Sequence, residues 1–465
     1  MYISDQTIIS KNNFTEIYQY ADTYAVLSKN LYNAALFRVR QIFTGSGKEA
    51  RTLNEAEVFD EVSLLEHTYP SIHVKKVISY SHLEKMMRVT HNPDFFAGLP
   101  MQTAQAVVKS AVQDFKNWLA SLRAYKKDPS SFSGKPKMPG YKKSDRCTFT
   151  VTNQDAVLYP VTVGNGVFLG MELKLPCTKA RLFLPHLNKD SRLMEVKIKP
   201  YHGRYILSLI ISTADIPAHP DMPETAAIDF GVDNIAAIVC TDHSSRIYKG
   251  GAILSENQWF AKERARAVAV ITKGHEHMHA DSRYLRNLSF HHANFNKDQM
   301  HKISTDIIRF CLKHRAGTLV LGVNRQWKQN SDIGSVNNQK FVSVPTALLR
   351  ALITYKAGMA GIRVVMQEES YTSKADITAM DHIPVYGMDD DKASFSGHRI
   401  KRGLYRCHDG LIINADCNGA ANIMRKAIPD VWNGCNDFSF LASPEVSGFH
   451  ELNPLSIPVR RIVAA

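Results

Sequence analysis

The chain has 465 residues, 44% of them hydrophobic, and a formal net charge of +13 at pH 7. This length predicts two or three domains, and the charge favours an anionic partner such as nucleic acid. No apolar run approaches the roughly 20 residues that span a bilayer, and the first residues, MYISDQTIISKNN, contain no apolar signal core. We therefore expect a cytoplasmic protein with no membrane partner.

The first part of the chain predicts a helical region followed by a basic segment. Apolar residues recur at three- and four-residue spacing within 14–125, which predicts a helical lobe. Residues 126–146 read KKDPSSFSGKPKMPGYKKSDR, in which proline and glycine disfavour a regular element. We call 126–146 the basic strap and predict that its cations contact a nucleic-acid backbone. These cations are Lys126, Lys127, Lys135, Lys137, Lys142, Lys143 and Arg146.

The pattern then changes twice. Residues 147–213 alternate as β-strands do, most clearly in MEVKIKPYHGRYILSLIIS, where His202 and Gly203 predict a hairpin turn. The proline-rich segment 217–225 predicts a domain boundary. After it, three strands are followed by alternating helices and strands, which is an RNase H-like order.

Two aspartates and one glycine stand where a nuclease of that order would need acidic groups. Asp229 ends a buried apolar strand, and Asp416 opens a helix predicted at 415–427. Between them an apolar strand ends on Gly322, where a third carboxylate would be expected. Two divalent ions held by such carboxylates can stabilise both oxygens in phosphodiester hydrolysis. The alternative, that one aspartate forms a turn and the other caps a helix, stays open.

Five motifs follow one another along the chain: IDFGVDNIAAI, VNRQWKQN with NNQKFVSVP, EESYTSKAD, FSGHRIKRGLY and INADCNGAANIMRKA. In this order they resemble TnpB, the RNA-guided nuclease of insertion sequences that is related to type V CRISPR effectors. The likeness extends upstream through SKNLYNAALFRVRQ at 28–41 and FSGKPKMPGYKK at 132–143. Because five motifs occur in order, the resemblance is far more specific than any one of them.

The resemblance implies a multi-domain α+β protein. Residues 1–13 would begin a β-barrel wedge domain, which 126–220 would complete together with the basic strap. Residues 14–125 would form a helical recognition lobe. Residues 221–465 would form a RuvC-like nuclease domain with the RNase H fold.

The resemblance also implies a third carboxylate. Most TnpB-like proteins have glutamate where this chain has Gly322, but one branch has glycine there and glutamate at the end of the next strand, in EESYTSK. That implies Glu368 or Glu369, and successive strand residues point to opposite faces, so we expect one of them in the site and choose Glu368. The implied catalytic set is Asp229, Asp416 and one of these glutamates, with Asp229, Glu368 and Asp416 holding two Mg²⁺ ions, for which Mn²⁺ could substitute. The alternative that both glutamates only close a strand stays open.

Residues 374–407 replace the four-cysteine zinc ribbon that many TnpB proteins carry. With Cys407 and Cys417 alone no four-thiolate site can form, so we expect no structural zinc and a degenerate zinc-ribbon or target-loading insertion. The cations around Tyr405 are predicted to contact a nucleic-acid strand, a solvated loop being the alternative. These cations are Arg399, Lys401, Arg402 and Arg406. On the resemblance we add Trp327, Lys328 and Gln329 as nucleic-acid contacts, with a core role for the tryptophan as the alternative.

The function that the resemblance implies is RNA-guided DNA cleavage. A guide RNA from the transposon end would pair with target double-stranded DNA, and the protein would read a short flanking motif. A Mg²⁺-dependent endonuclease would then hydrolyse the DNA. The alternative is a nuclease-dead, RNA-guided DNA-binding transcriptional repressor on the same scaffold. Such a protein is expected in the bacterial or archaeal cytosol or nucleoid, and the choice between monomer and dimer stays open.

Overall fold

A computed structural model describes residues 2–164, 166–212, 221–273, 280–323, 344–385, 387 and 393–453. The chain divides into two compact units, Met1–Ala214 and Asp215–Ala465. The predicted boundary at 217–225 lies just after that division, and the finer domain assignments stay predictions. Within the described ranges, no helix is long and apolar enough to cross a membrane.

The helices of the first unit pack through apolar stripes. They are α1 (Thr15–Gly45), α2 (Leu53–Thr68), α3 (Tyr80–Val89) and α4 (Met101–Lys127). On α4 the buried residues Ala104, Val108 and Phe115 recur at helical spacing, so one face of the helix lies in the core. The helix extends to Lys127, so the first two cations of the basic strap are helical rather than extended.

The strands of the first unit form two antiparallel sheets. The strands are β1 (Tyr2–Ile9), β2 (Phe149–Thr152), β3 (Val157–Val163), β4 (Val167–Lys174), β5 (Arg181–Leu184), β6 (Arg192–Tyr201) and β7 (Arg204–Ser212). One sheet has the order β1-β7-β6-β2 and the other β3-β4-β5. The predicted hairpin turn joins β6 to β7, and both His202 and Gly203 have positive φ, as its tight reversal requires. Among the described residues these strands form two sheets, and no closed barrel is shown, so the β-barrel stays a prediction.

The second unit is a mixed α+β assembly around a six-stranded sheet. Its strands are β8 (Glu224–Phe230), β9 (Asn234–Cys240), β10 (Ser245–Lys249), β11 (Ala316–Val323), β12 (Arg363–Glu368), β13 (His398–Lys401), β14 (Leu404–Arg406), β15 (Ile412–Asn414) and β16 (Glu445–Ser447). Its helices are α5 (Gly251–Ile271), α6 (Arg283–Lys313), α7 (Thr346–Met359), α8 (Ala415–Ala427) and α9 (Phe449–Leu452). The large sheet has the order β12-β11-β8-β9-β10-β16, and β13, β14 and β15 form a small separate sheet.

Strand direction and side-chain alternation position the site. Strands β8, β11 and β12 are parallel, so their carboxyl ends meet at one edge of the sheet. Ile228 packs in the cluster that contains α6 and α7, whereas Ala227 packs in the cluster that contains α8. Because side chains alternate along a strand, Asp229 lies on the same face as Ala227 and therefore faces α8.

Candidate active site

Asp229 lies on β8 directly against α8. A Cβ atom on Gly419 of α8 would stand 2.5 Å from Asp229 Oδ2, and real Cβ atoms essentially never approach a non-bonded atom so closely. Glycine costs about 1 kcal/mol relative to alanine in a helix interior, so its place here has a packing reason. Gly419 allows the helix to approach the aspartate carboxylate.

Asp416 is held in the first turn of α8 by its neighbours. The side chain of Asn414 caps the helix, accepting from the backbone N–H of Asp416 at 3.0 Å. Asn234 Nδ2 donates to Asp416 Oδ2 at 2.5 Å, and Lys249 Nζ donates to Asn234 Oδ1 at 3.0 Å. This chain of hydrogen bonds fixes the orientation of the carboxylate.

Gly322 marks the place where the third acidic side chain enters. Strand β11 lies between β8 and β12, so a residue at the end of β12 must cross β11 to approach Asp229. A Cβ atom on Gly322 would stand 2.6 Å from Glu369 Oε2 and 3.3 Å from the carbonyl oxygen of Ile228. The missing side chain at position 322 therefore provides the space that the Glu369 carboxylate occupies.

The Glu368 carboxylate, by contrast, forms hydrogen bonds with Lys426 and with the backbone of Ser370. Its Oε2 accepts from Lys426 Nζ at 2.7 Å, and its Oε1 accepts from the backbone N–H of Ser370 at 2.6 Å. Although burial raises the pKa of Glu368, these hydrogen bonds hold it below its ordinary value. The Glu368 carboxylate is thus bonded to a lysine, whereas the Glu369 carboxylate covers Gly322, and the choice of Glu368 as a metal ligand stays a prediction.

The electrostatics identify Asp229, Glu369 and Asp416 as neighbours. Burial and the negative charges of Glu369 and Asp416 raise the pKa of Asp229 well above its ordinary value. Burial also raises the pKa of Glu369 to about 7, against the opposing charge of Arg350. We call these three residues the carboxylate group. A bound cation would relieve the repulsion that Glu369 and Asp416 exert on Asp229.

The donor chemistry of the carboxylate group suits Mg²⁺. Carboxylate oxygens carried by separate elements are the ligands that this ion takes together with substrate phosphates. Among the residues that the structure describes, no three His, Cys, Asp or Glu side chains converge closely enough to form a complete metal-binding group as they stand.

The cations of the small sheet lie beside the carboxylate group. Arg399 Nη2 stands 3.9 Å from Asp416 Oδ1, and the charge of Arg399 lowers the pKa of Asp229. Arg402 pairs with Asp233, in the turn between β8 and β9, at 2.5 Å. Two of the predicted strand-contacting residues are thus adjacent to the acidic site. Lys401 and Arg406 are exposed on the same small sheet.

A polar network organises the segment that precedes the small sheet. The fully buried Asp376 accepts from the backbone N–H of Thr378 at 2.9 Å and of His408 at 2.6 Å. Asn418 and Asn422, both on α8, donate to the backbone carbonyl oxygen at position 375 at 2.8 Å and 2.7 Å. This segment is therefore fastened to the helix that carries Asp416.

The basic strap is anchored to the first unit at several points. Arg146 forms two hydrogen bonds with Asp22, at 2.6 and 3.1 Å, so its charge is already paired. Asn33 on α1 bonds both the N–H and the C=O of Lys142, at 2.8 and 3.1 Å. The other strap cations, Lys126, Lys127, Lys135, Lys137 and Lys143, are exposed. Trp327, Lys328 and Gln329 lie outside the described residues.

The sequence analysis did not identify three residues that act on the carboxylate group, namely Gly419, Asn234 and Arg350. A signal existed for Gly419, because it follows Asp416 by three residues and so lies on the same face of α8. No local pattern could have indicated Asn234, whose contact with Asp416 spans 182 positions. Arg350 acts on Glu369 from α7 in the same long-range way.

Two family models and one curated protein match parts of this chain. Residues 208–328 match the family OrfB_IS605, described as a probable transposase, and residues 347–423 match the Cas12f1-like TNB domain. The chain is 28% identical over 221 residues to the CRISPR-associated endodeoxyribonuclease Cas12f1 of Sulfoacidibacillus thermotolerans, a match covering 45% of this chain and 47% of that protein. The chain thus spans about half the length of that curated relative.

Solved structures that the chain matches include a Cas12f1–sgRNA–target DNA complex, at 15% identity and a TM-score of 0.33, covering 92% of this chain and 100% of that chain. Another is Alicyclobacillus acidoterrestris C2c1 with single-guide RNA, at 9% identity and a TM-score of 0.28, covering 89% of this chain and 70% of that chain. The family matches in sequence confirm the resemblance of this chain to TnpB-like proteins and type V effectors.

Proposed function

We propose that this chain is an RNA-guided DNA endonuclease that hydrolyses target DNA beside a short flanking motif by a two-metal, RuvC-like mechanism. The observation that carries the proposal is the carboxylate group, in which Asp229 and Glu369 lie at the ends of parallel strands and Asp416 lies in the first turn of α8, in a chain with TnpB-like motifs. A buried carboxylate whose pKa is raised by burial and by neighbouring acidic groups, as that of Asp229 is by Glu369 and Asp416, is typical of a functional site.

Asp229, Glu369 and Asp416 would hold two Mg²⁺ ions, with Mn²⁺ as a substitute. When bound, such ions supply an activated water and neutralise charge on the attacking and leaving oxygens. Glu369 replaces Glu368 in this ligand set, because Glu368 is bonded to Lys426.

The residues around the carboxylate group would orient it and guide the substrate. Asn234 fixes one oxygen of Asp416, and Gly419 leaves space for Asp229. Arg399 and Arg402 would pair with phosphates of the DNA strand next to the site, since a guanidinium matches the geometry of a phosphate.

The partners that we propose are a guide RNA from the transposon end and target double-stranded DNA. The curated relative is named an endodeoxyribonuclease, and one similar structure is a complex with sgRNA and target DNA. We extend both partners to this chain. The helices α1–α4 would serve as the recognition lobe, the two open sheets as the wedge domain, and the basic strap as a contact for the nucleic-acid backbone.

The test begins with the full chain purified together with its co-expressed RNA. Target DNA with randomised flanking sequence is incubated with this complex and Mg²⁺, and cut ends are sequenced. We expect cleavage at a fixed distance from one flanking motif, and none with the Asp229→Asn variant. Tight guided binding without cleavage under any flanking sequence would instead support the nuclease-dead repressor.

A further inference from the structure

An open cavity of about 500 Å³ lies in the first unit, where α1, α4, the basic strap and β6 meet. Its polar lining includes Asp114, Lys142, Ser144 and Lys199. This volume falls within the range of small-ligand pockets, roughly 300–1,000 Å³, and is far too small for a duplex. The size therefore suits a single nucleotide or a molecule of similar dimensions.

Two of the three cations that line this cavity, Lys142 and Lys199, are available to a ligand, whereas Arg146 is paired with Asp22. Lys142 and Lys199 are exposed, and neither side chain pairs with a carboxylate within the part of the chain that the structure describes. Lys142 is nevertheless held in place, because Asn33 bonds its backbone on both sides and its Nζ lies 4.4 Å from the centre of the Tyr32 ring. A lysine fixed in this way loses less conformational entropy when it binds a phosphate.

The cavity also contains the carboxylate of Asp114, and only one of its two oxygens accepts a hydrogen bond from the described residues. The Tyr32 hydroxyl donates to Asp114 Oδ2 at 2.6 Å, and among the described residues no donor reaches Asp114 Oδ1. Burial and the contact with Asp114 raise the pKa of Tyr32, so its hydroxyl stays a donor. Asp114 Oδ1 is therefore an acceptor for a ligand N–H group.

The combination of charges limits the ligand. A free phosphate would be attracted by the lysines but repelled by Asp114. A cationic amine would be attracted by Asp114 but repelled by the lysines. A nucleotide with an amino-bearing base satisfies both, since it is anionic at the phosphate and a donor at the base edge. Single-stranded RNA is recognised mainly through such unstacked bases.

We propose that this cavity binds one unpaired nucleotide of the guide RNA, with its base amino group donating to Asp114 and its phosphate beside Lys142 and Lys199. The inference rests on the proposed function and deepens it, because it assigns a base-reading role to the unit that does not contain the carboxylate group.

The test measures binding of fluorescently labelled RNA octamers of adenosine, cytidine and uridine to the full chain freed of nucleic acid. We expect at least one amino-bearing octamer to bind 5-fold or more tightly than the uridine octamer, whose base has no amino group. Asp114→Asn should reduce that preference to less than 2-fold, because the amide keeps the shape but loses the charge. Ser144→Phe, which fills the cavity from an exposed position, should do the same.

The lysines give a second readout. Lys199→Ala should weaken all octamers by a similar factor and lower the salt dependence of binding by about one counterion, as loss of one phosphate contact does. Lys116→Ala, an exposed lysine of α4 outside the cavity, is the matched control and should change neither quantity.

An unchanged base preference in both Asp114→Asn and Ser144→Phe would overturn the nucleotide pocket. Guided DNA cleavage by the same preparations separates the two claims. If the pocket variants change nothing while wild type cleaves, only the pocket is wrong; if no RNA binds and no cleavage occurs, both claims are wrong.

Discussion

Glu369 occupies the space above Gly322: a Cβ atom at position 322 would stand 2.6 Å from Glu369 Oε2. The two residues lie at the ends of adjacent parallel strands, and Glu369 reaches past β11 toward Asp229 on β8. A glycine at the position where a carboxylate was expected thus leaves the space that the Glu369 carboxylate occupies.

Gly322→Ala tests this relationship. The added methyl group would also stand 2.8 Å from Ile423 Cδ1, so overpacking should destabilise the protein by about 1–3 kcal/mol. We expect guided cleavage to slow by at least 10-fold, because Glu369 is displaced. Thermal unfolding and single-turnover cleavage provide the measurements. Gly134→Ala is the matched control, since nothing lies within 4 Å of its added methyl group, and it should behave as wild type.

Gly419→Ala should displace Asp229 rather than Glu369. Alanine normally favours a helix interior by about 1 kcal/mol over glycine, but here its methyl group would stand 2.5 Å from Asp229 Oδ2. We expect slower cleavage with guided DNA binding retained, as measured by parallel cleavage and gel-shift assays. Cleavage at the wild-type rate would show that the close approach of α8 to Asp229 has no role.

Mg²⁺ should stabilise the second unit through the carboxylate group. A ligand that binds only the folded state at 100 times its Kd stabilises by about 2.7 kcal/mol, so the melting temperature should rise with added MgCl₂. Asp229→Asn should abolish this rise, whereas Asp409→Asn, an exposed aspartate away from the group, should keep it. An equal rise in all three proteins would mean that the ion binds elsewhere.

Acid should weaken the first unit through Glu55. Hydrogen bonds from Lys48, at 2.7 Å, and from the backbone of Thr52 lower the pKa of Glu55 to about 2. Because the folded-state pKa is depressed, the stabilising contribution is present above the ordinary pKa near 4.5 and is lost as pH falls toward 2. The difference in melting temperature between wild type and Glu55→Gln should therefore be constant above pH 5 and shrink below it. A constant difference down to pH 2 would contradict the shift.

Local patterns predicted the elements that carry strong periodicity or clear ends. Helix α8 was predicted at about 415–427 and spans Ala415–Ala427, because Asn414 caps it and Pro429 follows. The start of helix α6 at Arg283 has no comparable periodic signal, since the first half of the helix is largely polar and offers little apolar periodicity. The short edge strand β16 was missed because three mostly exposed residues have no readable pattern.

The choice between two adjacent glutamates could not be made from sequence. Alternation along a strand indicated that one of them enters the site, but which one depends on the face of β12 that meets α8. Glu369 also lies one residue beyond the end of β12, and Lys426, which removes Glu368 from the group, is 58 positions away. Both the end point of β12 and the contact between Lys426 and Glu368 depend on the tertiary structure, so the local sequence could not indicate them.

The most direct test of the account compares Glu369→Gln with its matched neighbour Glu368→Gln in single-turnover cleavage of guided target DNA with Mg²⁺. We expect Glu369→Gln to lose at least 100-fold in rate while binding target DNA as wild type does. Glu368→Gln should lose no more than a few fold, together with about 1 kcal/mol of stability from the weakened contact with Lys426. The reverse order, with Glu368→Gln inactive and Glu369→Gln active, would contradict the assignment of Glu369 as the third carboxylate.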